Sequence, residues 1–210
     1  MLDSVTEMVA VRTSRPPQPR PRGEQRFVIE GVPWKSYMLL REALDVPGLR
    51  MTYFKGALEL MSPSPEHERI KTMIGRLVET YALETDTPLY GYGSTTFRRE
   101  LKERGLDPDE CYCVGADLDR YPDIAIEVVV TSGGFDKLPV YEGLGVREVW
   151  FWADENRRFE LFALTDKGYE PVATSRLVPG LLFELLARFV TRTDQPQALK
   201  EFREIVRGAR

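Results

Sequence analysis

Residues 124–130, Ile-Ala-Ile-Glu-Val-Val-Val, form an almost unbroken apolar run interrupted by one carboxylate, Glu127. A run of this kind reads as a strand buried on both of its faces, and so as an interior strand of a covered sheet. The chain's 210 residues suffice for one full α/β domain with a substantial core. A carboxylate inside the run is costly unless it is paired, protonated or bound to a metal. A partner among the chain's many arginines is the structural explanation; a functional site is the other.

A second acidic segment precedes the run. Leu106-Asp107-Pro108-Asp109-Glu110-Cys111-Tyr112-Cys113-Val114 also reads as a strand, and a loop over 115–120 would let the two strands pair. Asp109 and Glu127 would then reach one ion, and oxygen ligands suit Mg²⁺ or Mn²⁺. Such an ion lowers the pKa of a bound water and neutralises charge on a phosphate. Lys137 follows at a helix start, after Thr131-Ser132-Gly133-Gly134, whose glycines allow the sharp bend that brings it back over the strand end. Two carboxylates with a lysine point to a metal-dependent nuclease; most lysines, however, are solvated surface residues. Asp123, on the same face as Glu127 but about 13 Å along the strand, is expected to start the strand as a turn residue.

The remaining pattern alternates strands and helices. Strands are expected over 25–32, 90–99, 148–153, 159–164 and 169–174, and a hairpin over 49–61 turns at Lys55-Gly56. Helices are expected over 36–45, with Tyr37, Leu40 and Ala43 on one face, and over 136–143, 181–190 and 197–206. Ser62-Pro63-Ser64-Pro65 opens a long helix, with Ser64 as N-cap, Pro65 in first position and a buried stripe of Ile70, Ile74, Leu77, Val78 and Tyr81. Glu66 and Glu68 in its first turn favour the helix dipole whatever the function, and His67 reads as a polar partner. Pro16, Pro17, Pro19 and Pro21, interleaved with arginines, make residues 1–22 a disordered or extended arm ahead of a single domain over 23–210.

Net charge of −4 argues against a large non-specific nucleic-acid surface, though not against a local basic groove. Cys111 and Cys113 would sit roughly 6–7 Å apart on one strand face, awkward for a disulfide. With a single histidine they also fall short of a zinc site. No apolar run approaches a membrane span, and residues 1–22 lack the order of a signal peptide, so a cytoplasmic location is expected.

Several ordered segments resemble the Uma-two family of the PD-(D/E)XK, restriction-endonuclease-like nucleases. They are Met61–Ile70, Pro108–Tyr112, Pro122–Val128 and the Lys137–Trp152 stretch with Tyr141 and Gly145-Val146-Arg147-Glu148-Val149-Trp150. The resemblance spans roughly Val28 to Tyr169. It implies a restriction-endonuclease-like central mixed β-sheet flanked by α-helices. It implies that Asp109 and Glu127 bind metal and that Glu68 is an additional carboxylate beside the ion. The superfamily places a lysine two residues after the acid, where this chain has Val129; Lys137 resembles a lysine supplied from the following helix. The expected activity is Mg²⁺-dependent (or Mn²⁺-dependent) cleavage of DNA, with removal of either ligand abolishing cutting and sparing the fold. A catalytically degenerate binding fold and an RNA nuclease are the alternatives, and a homodimer is expected from the same resemblance. The 141–152 stretch could supply a dimer surface, although core is the simpler reading.

Overall fold

A computed structural model describes residues 23–46, 48–130 and 135–209. The arm expected over 1–22 and the loop expected over 131–134 lie outside the described residues.

The chain enters through strand β1 (Gln25–Ile29) and helix α1 (Trp34–Ala43), then folds back as a hairpin of β2 (Arg50–Phe54) and β3 (Ala57–Ser62). Lys55 and Gly56 form the turn with φ of 46° and 94°, the paired left-handed conformations that match the twist of a two-residue hairpin. Helix α2 (Pro65–Glu84) starts where its cap signals place it, with the Ser64 hydroxyl accepting the His67 N–H at 3.1 Å. Ile70, Ile74, Leu77 and Val78 are buried along it, while Tyr81 is half-buried.

The single strand expected over 90–99 is two short strands, β4 (Leu89–Gly91) and β5 (Phe97–Arg99), which join different sheets. Gly93, at φ 55°, lies in the bend between them. After β6 (Arg104–Leu106) come the two acidic strands, β7 (Glu110–Val114) and β8 (Ile124–Val129). Helix α3 (Leu138–Leu144) then crosses to β9 (Glu148–Ala153), followed by β10 (Arg158–Thr165), β11 (Gly168–Val172), α4 (Phe183–Val190) and α5 (Gln195–Gly208).

Six strands form a mixed sheet in the order β11-β10-β9-β8-β7-β4, parallel between β8 and β9 and antiparallel elsewhere. This is the expected mixed sheet flanked by helices. On one face Ile124, Ile126, Val128, Trp150 and Trp152 pack against α2, α4 and α5. On the other, Cys111, Ala125 and Val149 meet Val140, Tyr141 and Leu144 of α3. Glu127 thus sits in a strand covered on both faces, as its apolar neighbours require. Burial of each large side chain in such a core contributes roughly 1.5–3 kcal/mol. Trp150 is fully buried with Phe183 edge-on at 4.8 Å, and Tyr141, Leu144, Val146, Val149 and Trp152 are buried with it, so these apolar side chains of the 141–152 stretch are core.

A second sheet, antiparallel in the order β1-β3-β2-β6-β5, was not expected. Its β5 and β6 are three residues each, too short to show alternation in sequence. Tyr37 of α1 stacks on Tyr53 of β2 at 4.7 Å to form its core. Ala43, placed on the buried face of α1 by periodicity, is exposed because the helix covers only this small sheet. Helix α3 packs against β2, β5 and β6 as well as β11, and so lies between the sheets. Cys111 and Cys113 are buried and unpaired. Among the described residues no helix is long and apolar enough to cross a membrane.

Candidate functional site

Strands β7 and β8 pair with Glu110 opposite Ile126, so Asp109, one residue earlier, comes opposite Glu127. Asp109 Oδ2 accepts the Val128 N–H at 2.8 Å, which fixes it across the strand pair. Its Oδ1 lies 2.9 Å from His67 Nε2 and 3.3 Å from Arg50 Nε. The Arg50 Nε is buried without an aligned hydrogen bond, so this last contact is an ion pair only. Burial opposes the charge on Asp109, but the His67 hydrogen bond and the charges of His67, Lys137 and Arg50 outweigh it. They hold its pKa below the usual carboxylate range.

Glu127 finds its partners on α3. Lys137, the residue before the helix, places Nζ 2.6 Å from Oε2, and the Tyr141 hydroxyl donates to Oε1. The partner is therefore a lysine and a tyrosine, rather than one of the arginines. Burial raises the Glu127 pKa and the charge of Asp109 pushes the same way, with Lys137 and Tyr141 opposing. Burial works against the Lys137 charge, yet Glu127 and Asp109 overcome it and raise its pKa. Asp109, Glu127 and Lys137 are all buried, at 0%, 2% and 8% exposure.

Glu68 stands further out. Its carboxylate takes Arg50 Nη2 at 3.0 Å and Lys71 Nζ at 2.9 Å, and it reaches Asp109 through Arg50. Arg50 also lines a cleft of about 1110 Å³ at the start of α2, together with Arg41, Ser64, Glu68 and Lys71. Asp109 and Glu127 do not line that cleft; Arg50, which does, links it to Asp109.

Several residues at the site were given no role there by sequence reasoning. Arg50 and Tyr141 touch the carboxylates directly. Behind them, Glu24 accepts from His67 Nδ1 at 2.9 Å and from Arg26, and Arg26 forms two 3.0 Å bonds to buried Glu59. Glu59 lies between Leu58 and Leu60 on β3, the same signal that made Glu127 conspicuous. No comparable signal marks Arg50, which simply begins a strand.

His67 is a buried polar partner held between two carboxylates. Burial works against its charge, but Asp109 and Glu24 raise its pKa from 6.5 to about 9. A raised folded pKa means that the stabilisation is complete below about pH 6.5 and is lost as pH rises through 9. Metal-free protein is expected to lose up to about 3 kcal/mol over that window. Urea unfolding at stepped pH checks this, with His67→Gln showing a flatter profile. Equal slopes for the two proteins would remove His67 as the cause.

The donor set suits a hard divalent cation, since the two facing carboxylates offer only oxygen. Among the described residues no group of three or more His, Cys, Asp or Glu side chains is arranged to hold a metal ion. An ion here would draw the rest of its coordination from water and substrate oxygens, the usual habit of Mg²⁺. The residues fit such an ion, provided that Arg50 and His67 yield their hold on Asp109 Oδ1.

The family model described as "Uma2: Putative restriction endonuclease" matches residues 34–190. No curated protein matches the chain in sequence. Among solved structures, the chain is similar to one titled as a putative nuclease belonging to DUF820 from Anabaena variabilis ATCC 29413. The two are 11% identical with a TM-score of 0.45, over 78% of this chain and 98% of that one.

Proposed function

As the chain belongs to the Uma2 family, described as "Putative restriction endonuclease", we propose that it is a Mg²⁺-dependent endonuclease hydrolysing phosphodiester bonds in DNA. The observation that carries this reading is the facing pair Asp109 and Glu127 with Lys137 Nζ 2.6 Å from Glu127. Mn²⁺ would satisfy the same ligands.

Asp109 and Glu127 would hold the ion, which when bound would supply Lewis acidity and charge neutralisation at the scissile phosphate. Lys137 shares Glu127 from the side of α3 and stays protonated there. It orients the attacking water and stabilises the charge that builds on phosphate. Tyr141 fixes the other Glu127 oxygen and so the direction of the carboxylate. Arg50, released from Asp109, becomes a phosphate contact at the wall of the cleft, with Glu68 steering it. The DNA backbone enters along that cleft. RNA offers the same phosphodiester, and selection between them rests on contacts to the 2′-OH.

A degenerate binding fold is the second reading. It draws on the fact that each oxygen of Asp109 and Glu127 already has a partner within the chain. The test is calorimetric titration with magnesium or manganese, alongside nicking of supercoiled plasmid, for wild type and Asp109→Asn. Binding and nicking that both disappear in Asp109→Asn support the endonuclease. Absence of binding in wild type sinks it in favour of the degenerate fold, in which Asp109→Asn would cost stability and nothing else.

A further inference from the structure

Arg50 stands between the cleft and Asp109. It lines the cleft with a side chain 11% exposed, and it reaches a carboxylate that is fully buried. His67, the other group on Asp109 Oδ1, is itself fully buried, pinned at Nδ1 by Glu24, and does not line the cleft. The Arg50 guanidinium is incompletely used. Nη1 donates to the Pro108 carbonyl at 3.2 Å and Nη2 to Glu68 at 3.0 Å, while Nε, 3.3 Å from Asp109 Oδ1, is buried with no aligned acceptor. A buried donor in that state is costly. Its fork of N–H groups suits a phosphate, which accepts two such bonds at once.

Arg50 and a metal ion compete for one oxygen of Asp109. The Val128 N–H already occupies Oδ2, so Oδ1 is the oxygen at stake, and a positive charge 3.3 Å from it repels a second cation. A backbone phosphate in the cleft competes with Asp109 for Arg50 in turn. We propose that Arg50 is a latch: in the free protein it holds Asp109 Oδ1 against metal, and a nucleic-acid phosphate in the cleft draws it away, so that substrate and metal bind with positive linkage. The inference rests on the metal-dependent nuclease reading above and adds the regulation of its site. Free protein binds the ion weakly, and the centre fills when the substrate backbone is in place. Linkage is reciprocal, so the metal strengthens nucleic-acid binding by the same factor. Glu68, 41% exposed, holds the Nη2 end of the latch at the cleft wall.

Calorimetric titration of magnesium into metal-free wild type, Arg50→Met and Lys71→Met tests the latch without any cleavage. Arg50→Met is expected to bind magnesium about tenfold more tightly than wild type. Lys71→Met removes a positive charge from the same cleft wall, where Nζ contacts Glu68 and not Asp109, and is expected to shift the affinity far less. Circular dichroism melts establish that each variant is folded. Arg50→Lys replaces Arg50→Met if the latter fails to fold: its single nitrogen cannot span Glu68 and Asp109 together, so it too is expected to bind more tightly than wild type. Anisotropy of a labelled phosphorothioate DNA duplex, which resists hydrolysis, reads the reciprocal arm. Magnesium is expected to strengthen duplex binding by wild type more than by Arg50→Met. Equal magnesium affinity in wild type and Arg50→Met overturns the latch and leaves the endonuclease reading standing. So does a Lys71→Met protein that matches Arg50→Met, or an equal effect of magnesium on the duplex affinity of wild type and Arg50→Met. Magnesium binding by none of these proteins overturns both.

Discussion

Glu127→Ala is expected to lose about 3–5 kcal/mol of folding stability together with its cleavage, because truncation leaves Lys137 buried without its partner. The sequence alone suggested that a ligand could be removed without harm to the fold. The contacts of Glu127 motivate a different expectation: it is 2% exposed and holds both Lys137 and the Tyr141 hydroxyl. Glu127→Gln is the cleaner variant. It keeps the shape and an acceptor oxygen, removes the negative charge, and should melt closer to wild type than the alanine variant. Plasmid nicking is expected to fall below detection in both, and magnesium binding to weaken. Full nicking by Glu127→Gln would remove this carboxylate from the mechanism. An alanine variant as stable as wild type would show instead that Lys137 leaves the interior at little cost.

Lys137→Met is expected to cut at least about 10²-fold more slowly, the usual consequence of losing a preorganised donor to developing negative charge. Metal binding should persist, because both carboxylates remain and a positive competitor has been withdrawn. The separation matters: a lysine that merely balances Glu127 would change stability and leave single-turnover cleavage untouched. Calorimetry for magnesium, single-turnover nicking and urea unfolding on the one variant give the three readings. Cleavage within tenfold of wild type would leave Lys137 as a counter-ion only.

Much of the architecture was legible because its signals are local. Ser64-Pro65 marks a helix start by backbone chemistry, Lys55-Gly56 marks a tight turn, and the run around Glu127 marks an interior strand. The pairing of β7 with β8 followed from their proximity in sequence. The five-stranded sheet was hidden because β5 and β6 are too short to carry a period, and because residues 90–99 divide between sheets at Gly93. At the site, Asp109, Glu127 and Lys137 stood out through an apolar setting or the glycines nearby. Arg50 did not, since its meeting with Asp109 depends on how β2 passes the start of β7 in three dimensions. Glu68 was read as adjacent to the carboxylates, but a helix position fixes a face and not a distance; Arg50 intervenes.

The family match begins at residue 34 and ends at residue 190, whereas the ionic lattice behind Asp109 begins at Glu24. A chain trimmed to the matched segment would lack both acceptors and donors supplied by Glu24 and Arg26, stranding His67 and Glu59 in the interior. It would also lack α5, whose Ala198, Phe202 and Val206 complete the main core. The boundary of shared sequence is thus narrower than the boundary of self-sufficiency. Expression trials cut at the similarity limits would report an insoluble fragment rather than an inactive enzyme.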